Sequence, residues 1–209
     1  MGDRIADYIA GLFAPEDELL RALREEADRS GLPPISVPPE TARFLQLLLV
    51  AVGARRVLEV GTLGGYSAIW MARAIGPEGR ILSLERDPAH AEFARRQLER
   101  AGLAGRVEVR VGEALKLLPA LDGERFDVVF LDADKEPLPT YLDWAVRLLR
   151  AGGVVIADNA LRGGRVLDDP GDDADLRGVQ HFNRKLASDP RLLGIVVPIG
   201  DGVAVGVVR

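Results

Sequence analysis

Residues 57–85 read VLEVGTLGGYSAIWMARAIGPEGRILSLE. A short apolar run, VLEV, gives way at once to Gly61, Gly64 and Gly65. A helix-length stretch, YSAIWMARAI, follows, and a second apolar run, ILSLE, closes the unit. The two runs are strand-length and bracket enough chain for a helix, so the pattern predicts strand, helix, strand. Strands joined through a helix lie parallel, with a right-handed crossover.

The same rhythm continues outward. VEVRV (107–111), FDVVFLD (126–132) and VVIAD (154–158) are further strand-like runs. PAHAEFARRQLERAG, EALKLLPAL and LPTYLDWAVRLLR lie between them as helices. This alternation predicts an α/β fold, a mostly parallel, doubly wound sheet with helices on both faces. A helix over about 175–187 and two apolar runs around Gly200-Asp201-Gly202 follow, the latter an antiparallel hairpin at the sheet edge. Before residue 56, Pro15–Ser30 and Thr41–Val52 carry apolar residues at helical spacing. The chain therefore divides into an N-terminal helical cap (1–53) on one α/β core (54–209), within a single domain of 1–209.

Composition narrows the chemistry. The 209 residues carry a formal charge of −5 and no cysteine. That removes thiolate nucleophiles, disulfides and cysteine-ligated zinc. With only His90 and His181 present, a multi-histidine metal site is nearly excluded too, so any metal must be held mainly by oxygen. The net charge argues against tight electrostatic binding of nucleic acid. MGDRIADYIAGLF contains acids and lacks an apolar signal core, and no apolar run is membrane-length, so a cytoplasmic location is expected.

The glycines after the first strand let backbone approach a ligand, and a helix N-terminus favours its anionic groups. Their spacing is not G-x-G-x-x-G, so the dinucleotide fingerprint fails. Glu85 ends the second strand, where a carboxylate can accept both hydroxyls of a ribose. That signal is common to dinucleotide-binding folds and to class I methyltransferases. Glu59 discriminates between them: a carboxylate before the glycine turn suits a ligand amino group and repels a pyrophosphate.

Asp132, Asp158 and Asn159 close the fourth and fifth strands, and ligands of such sheets bind beyond the carboxyl ends. Two carboxylates and an amide oxygen suit Mg²⁺, with Mn²⁺ or Ca²⁺ as alternatives, and leave positions open for substrate. Lys135, three positions after Asp132, sits where a divalent ion would disfavour its ammonium form, so that it can take a proton from a hydroxyl.

With these residues in view, VLEVGTLGGYSAIWMARAI, ILSLERDP, FDVVFLDADK, GGVVIADN and PIGDGVAV together resemble the caffeoyl-CoA and catechol O-methyltransferase family, in particular its small bacterial members. The resemblance runs from about Val37 to the C-terminus. It implies a Rossmann-like methyltransferase sheet, S-adenosylmethionine as methyl donor, a divalent ion as activator and a homodimer. Carried over, Asp132, Asp158 and Asn159 match the metal ligands and Lys135 the general base. Glu59, Gly61, Ser67, Glu85, Asp132 and Asp134 match donor-binding positions. Val37 matches a backbone contact to the donor's carboxylate, and Gly112 and Ala114 match the adenine edge. The plant members carry an aromatic residue soon after the ADN motif, where this chain has Arg162.

The activity so implied is methyl transfer to a hydroxyl of a small, phenolic, catechol-like acceptor. The alternative is a tRNA hydroxyuridine O-methyltransferase on the same scaffold, with Arg162 and Arg165, or Arg55 and Arg56, as basic patches. A nicotinamide oxidoreductase is disfavoured by Glu59 and the glycine spacing. A donor-binding protein without catalysis is disfavoured by Lys135 and the acids. Trp70 reads as core packing, His90 as surface and His181 as a helix-packing or interface residue. The stretch DDPGDDADLRG (168–178), with five aspartates, reads as a lid beside the site or a plain solvated connection.

Overall fold

The structure, a computed structural model, describes residues 2–209. The two predicted N-terminal helices are α2 (Glu18–Arg29) and α3 (Pro39–Ala51), and they are preceded by an unanticipated α1 (Gly2–Phe13). Asp17 caps α2 by accepting the Leu20 N–H at 3.0 Å. Pro39 opens α3, where its missing N–H costs nothing.

The core then follows the predicted order. It runs β1 (Arg56–Val60), α4 (Tyr66–Ala74), β2 (Arg80–Glu85), α5 (Pro88–Arg100) and β3 (Val107–Val111). It continues through a short α6 (Ala114–Leu117), β4 (Phe126–Leu131), α7 (Leu138–Leu148), β5 (Leu149–Ala157), α8 (Ala174–Ser188), β6 (Leu192–Val197) and β7 (Val203–Val208). The stretch EALKLLPAL, expected as one helix, breaks at Pro119 into α6 and a 3-10 turn over Leu118–Leu121. The loop after β5 turns tightly over Arg162–Leu167, with left-handed backbone at Arg162, Gly163 and Gly164.

The seven strands lie in the order β3-β2-β1-β4-β5-β7-β6. The first five are parallel, and β7 runs antiparallel between β5 and β6. Successive strand residues point to opposite faces and both faces are covered. Val57, Ile81, Val128, Phe130 and Ile156 pack under α3, α4 and α5. Leu58, Leu84, Val129, Leu131 and Val155 pack under α7 and α8. The strand order reverses between β1 and β4, so the turns after these two strands open the crevice in which such sheets bind ligands.

Candidate active site

The turn after β1 is shaped by its neighbours. Gly61 has φ +97°, and a Cβ there would collide with the Asp132 carbonyl oxygen. Its N–H donates to the Leu84 carbonyl at 2.9 Å. Gly65 (φ +83°) precedes α4, and no side chain caps that helix, which leaves its first N–H groups for an anionic ligand group. Tyr66 points its hydroxyl at Glu16 Oε1, 2.7 Å away, and so ties the α1–α2 connection to this helix.

Glu85 holds the turn from the next strand. Its Oε2 accepts the N–H groups of Thr62 (3.1 Å) and Leu63 (2.8 Å), and its Oε1 accepts that of Asp87 (2.9 Å). A carboxylate offers about four acceptor positions, so Oε1 keeps one for a ribose hydroxyl, where two were expected. Gly112 donates to the Glu85 carbonyl at 2.8 Å, which places Gly112 and Ala114 on the rim beside it. Val37 is buried in the loop leading into α3.

Glu59 is fully enclosed. Ser67 donates to its Oε1 at 2.5 Å, Ser83 donates to its Oε2, and Thr62 lies 2.5 Å from the Ser83 hydroxyl. Burial raises the carboxyl from 4.5 to about 7; the two hydroxyls oppose the shift and the charges of Asp132 and Glu85 add to it. A ligand cation placed beside it would restore the charged form.

The second half of the site grows from β4 and β5. The Asp132 N–H donates to the Val60 carbonyl (2.9 Å) and the Asp158 N–H to the Leu131 carbonyl (3.1 Å), so the two acids stand at adjacent strand ends. Lys135 is buried, with Nζ 3.2 Å from Asp132 Oδ1 and 3.5 Å from the Asp158 carbonyl. Asn159 has φ +59°, a left-handed conformation asparagine tolerates better than most residues, and its Nδ2 faces Asp158 Oδ2 at 3.4 Å. The exposed Asp134 accepts the hydroxyl of Tyr141 at 2.7 Å.

Asp158 Oδ1 is buried and has no hydrogen-bond partner. Burial, then the charge of Asp132, pushes the Asp158 carboxyl up to about 7. Asp132 is also raised by burial, against the pull of Lys135. Two acids that resist ionising, one with an orphaned oxygen, fit a divalent cation, which would satisfy the oxygen and favour both charges. Among the described residues no cluster of three or more His, Cys, Asp or Glu side chains could hold a metal, so the third ligand would be the Asn159 amide oxygen, after rotation of the amide.

Several contributors escaped the sequence. Gly178 on α8 lacks the Cβ that would collide with the Lys135 carbonyl. Gln180 donates to the Val166 and Asp168 carbonyls at 3.1 and 2.8 Å, and Asn183 to the Ala160 carbonyl at 2.8 Å. The 160–168 stretch is thus clamped to α8. Trp70 is core, as expected, and His181 is exposed on α8. Of the candidate basic patches, Arg165 pairs with Asp173 at 2.8 Å and Arg56 with Glu124 at 2.5 Å.

The profile of a family described as O-methyltransferase matches residues 11–208. A catechol O-methyltransferase of Mycobacterium tuberculosis is 47% identical, over 97% of this chain and 94% of its own. One from Niastella koreensis is 42% identical, over 99% of this chain and 97% of its own. The crystal structure of an O-methyltransferase from Bacillus cereus in complex with SAH (S-adenosylhomocysteine) superposes with a TM-score of 0.93 at 39% identity, covering 99% of this chain and 97% of that one.

Proposed function

The chain belongs to the O-methyltransferase family and takes its methyl group from S-adenosylmethionine, and from that premise we propose that it methylates one hydroxyl of a vicinal diphenol at a divalent-ion site of Asp132, Asp158 and Asn159. The observation that carries this reading is the buried, unpartnered Asp158 Oδ1 beside Asp132 and Lys135. Mg²⁺ suits the oxygen-only donor set. Both relatives bear the name catechol O-methyltransferase, which supports the acceptor class.

A bound divalent ion would supply Lewis-acid activation of two neighbouring hydroxyl oxygens. Lys135, oriented by Asp132, receives the hydroxyl proton at Nζ. The acceptor oxygen then forms its bond to the methyl carbon as the carbon–sulfur bond breaks, and sulfur keeps the electron pair to leave as a thioether. Opposite charges cancel in this step, so water slows it. Lys135 and Asp158 are buried accordingly. Glu59, held by Ser67 and Ser83, supplies the negative charge for the donor's amino group. Glu85 takes a ribose hydroxyl, Val37 the donor's carboxylate by its backbone, and Gly112, Ala114 and Asp134 complete the donor's surroundings.

A homodimer fits the exposed apolar residues Tyr8, Leu12 and Phe13 of α1 and Leu47 and Val50 of α3; light scattering in solution tests it. No described helix is long and apolar enough to cross a membrane.

Transfer of labelled methyl from S-adenosylmethionine to caffeate, with Mg²⁺ and then with excess chelator, tests the reading. Activity should require the ion and vanish in Asp158→Ala. Equal rates in chelator would overturn the metal role, and methylation of bulk tRNA in place of caffeate would overturn the acceptor class.

A further inference from the structure

The turn between β6 and β7 reaches into the site from the far edge of the sheet. It spans Ile199–Gly202, closed by the Gly202 N–H on the Ile199 carbonyl at 2.9 Å. Asp201 stands at its tip between Gly200 (φ +55°) and Gly202 (φ +83°). Three N–H groups of the loop that follows Asn159 end on this tip. The Ala160 N–H donates to the Gly202 carbonyl at 2.8 Å and the Leu161 N–H to the Asp201 carbonyl at 3.0 Å. The Gly163 N–H donates to the Asp201 carboxylate, Oδ1, at 2.5 Å.

The held loop is one that would not keep its shape alone. Asn159 (φ +59°) and Arg162 (φ +50°) are non-glycine residues in the left-handed region, and Gly163 (φ +63°) and Gly164 (φ +90°) join them. Such residues persist where surrounding contacts over-determine them. Arg162 lies between the two residues that Asp201 holds. Gly202 makes room for the Leu161 side chain, with which a Cβ would collide.

The other side of the tip meets the cap. A Cβ on Gly200 would stand 2.6 Å from Thr41 Oγ1 and 3.7 Å from Pro38 Cγ. Pro38 adjoins Val37, so one turn is wedged between the donor-side segment and the loop that follows Asn159. The Asp201 charge is also felt at Asp158.

We infer that Asp201 is a positioning residue: its carboxylate fixes the Ala160–Gly163 loop, and with it the placement of Asn159 and Arg162 against the acceptor. The kinetic consequence rests on the catechol reading above; the structural one does not. The acceptor's orientation, and therefore which of two neighbouring hydroxyls is methylated, depends on this link.

The test compares Asp201→Ala with Asp201→Asn, whose amide oxygen can still accept from Gly163. Amide hydrogen exchange of the SAH-bound protein is read at Ala160, Leu161 and Gly163, beside KM, kcat and the ratio of the two methyl ethers formed from caffeate with Mg²⁺. In Asp201→Ala, losing one charge-assisted bond should speed Gly163 exchange and raise the caffeate KM, each about tenfold. The product ratio should shift while SAH affinity stays within about twofold. Asp201→Asn should return exchange and KM most of the way. Wild-type exchange, KM and product ratio in Asp201→Ala would overturn the inference. So would a parallel fall in Tm and SAH affinity, which would make the turn a general structural element. A wild-type protein inactive on caffeate would overturn the catechol reading alone, since the exchange measurement still decides whether Asp201 holds the loop.

Discussion

The alpha carbon of Gly61 packs against the carbonyl of Asp132 so closely that a methyl group there would collide with it. One residue ends the strand that carries the donor turn, and the other ends the strand that carries a proposed metal ligand. The two halves of the site therefore meet through backbone, without a side chain between them.

Gly61→Ala should damage both halves at once. The added Cβ must displace β4's end, and φ +97° is strained for alanine. A stability loss of about 1–3 kcal/mol is expected, with weaker SAH binding and weaker divalent-ion binding together. Thermal melts and titration with SAH check this; wild-type values for both would contradict it.

Gly178→Ala should separate the halves. Its Cβ would strike the Lys135 carbonyl, on the acceptor side of the site. Methyl transfer should fall while SAH affinity stays close to wild type. Equal losses of turnover and SAH affinity would mean that α8 supports the whole rim and not the Lys135 loop alone.

The contrast between these residues shows what was legible in the sequence. Asp132, Asp158, Glu59 and Glu85 each sit at or near the end of an apolar run, and strand periodicity announces such ends. Gly61 reads in the sequence as room for a ligand, but the collision it avoids is with Asp132, which no local pattern reveals. Gly178, Tyr141 and Asp201 act across space; Asp201 meets Gly163 from 38 positions away. α1 was legible: Ile5, Tyr8, Ile9 and Leu12 fall at helical spacing in GDRIADYIAGLF, although the structure leaves Ile5, Tyr8 and Leu12 exposed. The aspartate-rich stretch 168–178 reads as a loop, yet its second half is helix: α8 starts at Ala174, and Asp173 caps it by accepting the Leu176 N–H.

Lys135→Met should lower kcat by a factor of about 10² to 10⁴, the usual contribution of a general base. SAH affinity should remain, because Lys135 contacts Asp132 and the Asp158 carbonyl and not the donor turn. Steady-state kinetics beside calorimetry with SAH separates the two. Near-wild-type kcat would remove Lys135 from the proton transfer.

Glu59 makes a prediction about pH. Its carboxyl is raised from 4.5 to about 7 in the folded protein, so between these values the folded state binds more protons than the unfolded state. Its contribution to stability is full below pH 4.5 and declines as pH rises to about 7, by about 3 kcal/mol. Glu59→Gln should flatten that slope in denaturant titrations across the window. A ligand ammonium favours the charged carboxylate, so SAH should bind the wild type more tightly as pH rises through the same window and release a proton. An unchanged slope in the variant would place the titration elsewhere.

The central claim is that a divalent ion sits between Asp132, Asp158 and Asn159. Anomalous diffraction from crystals grown with SAH and Mn²⁺ tests it most directly. A single strong peak within coordination distance of Asp132, Asp158 Oδ1 and the Asn159 amide oxygen is expected, and it should be lost in Asp158→Ala. A wild-type map with no peak there, at an Mn²⁺ concentration that supports methyl transfer, would contradict the account.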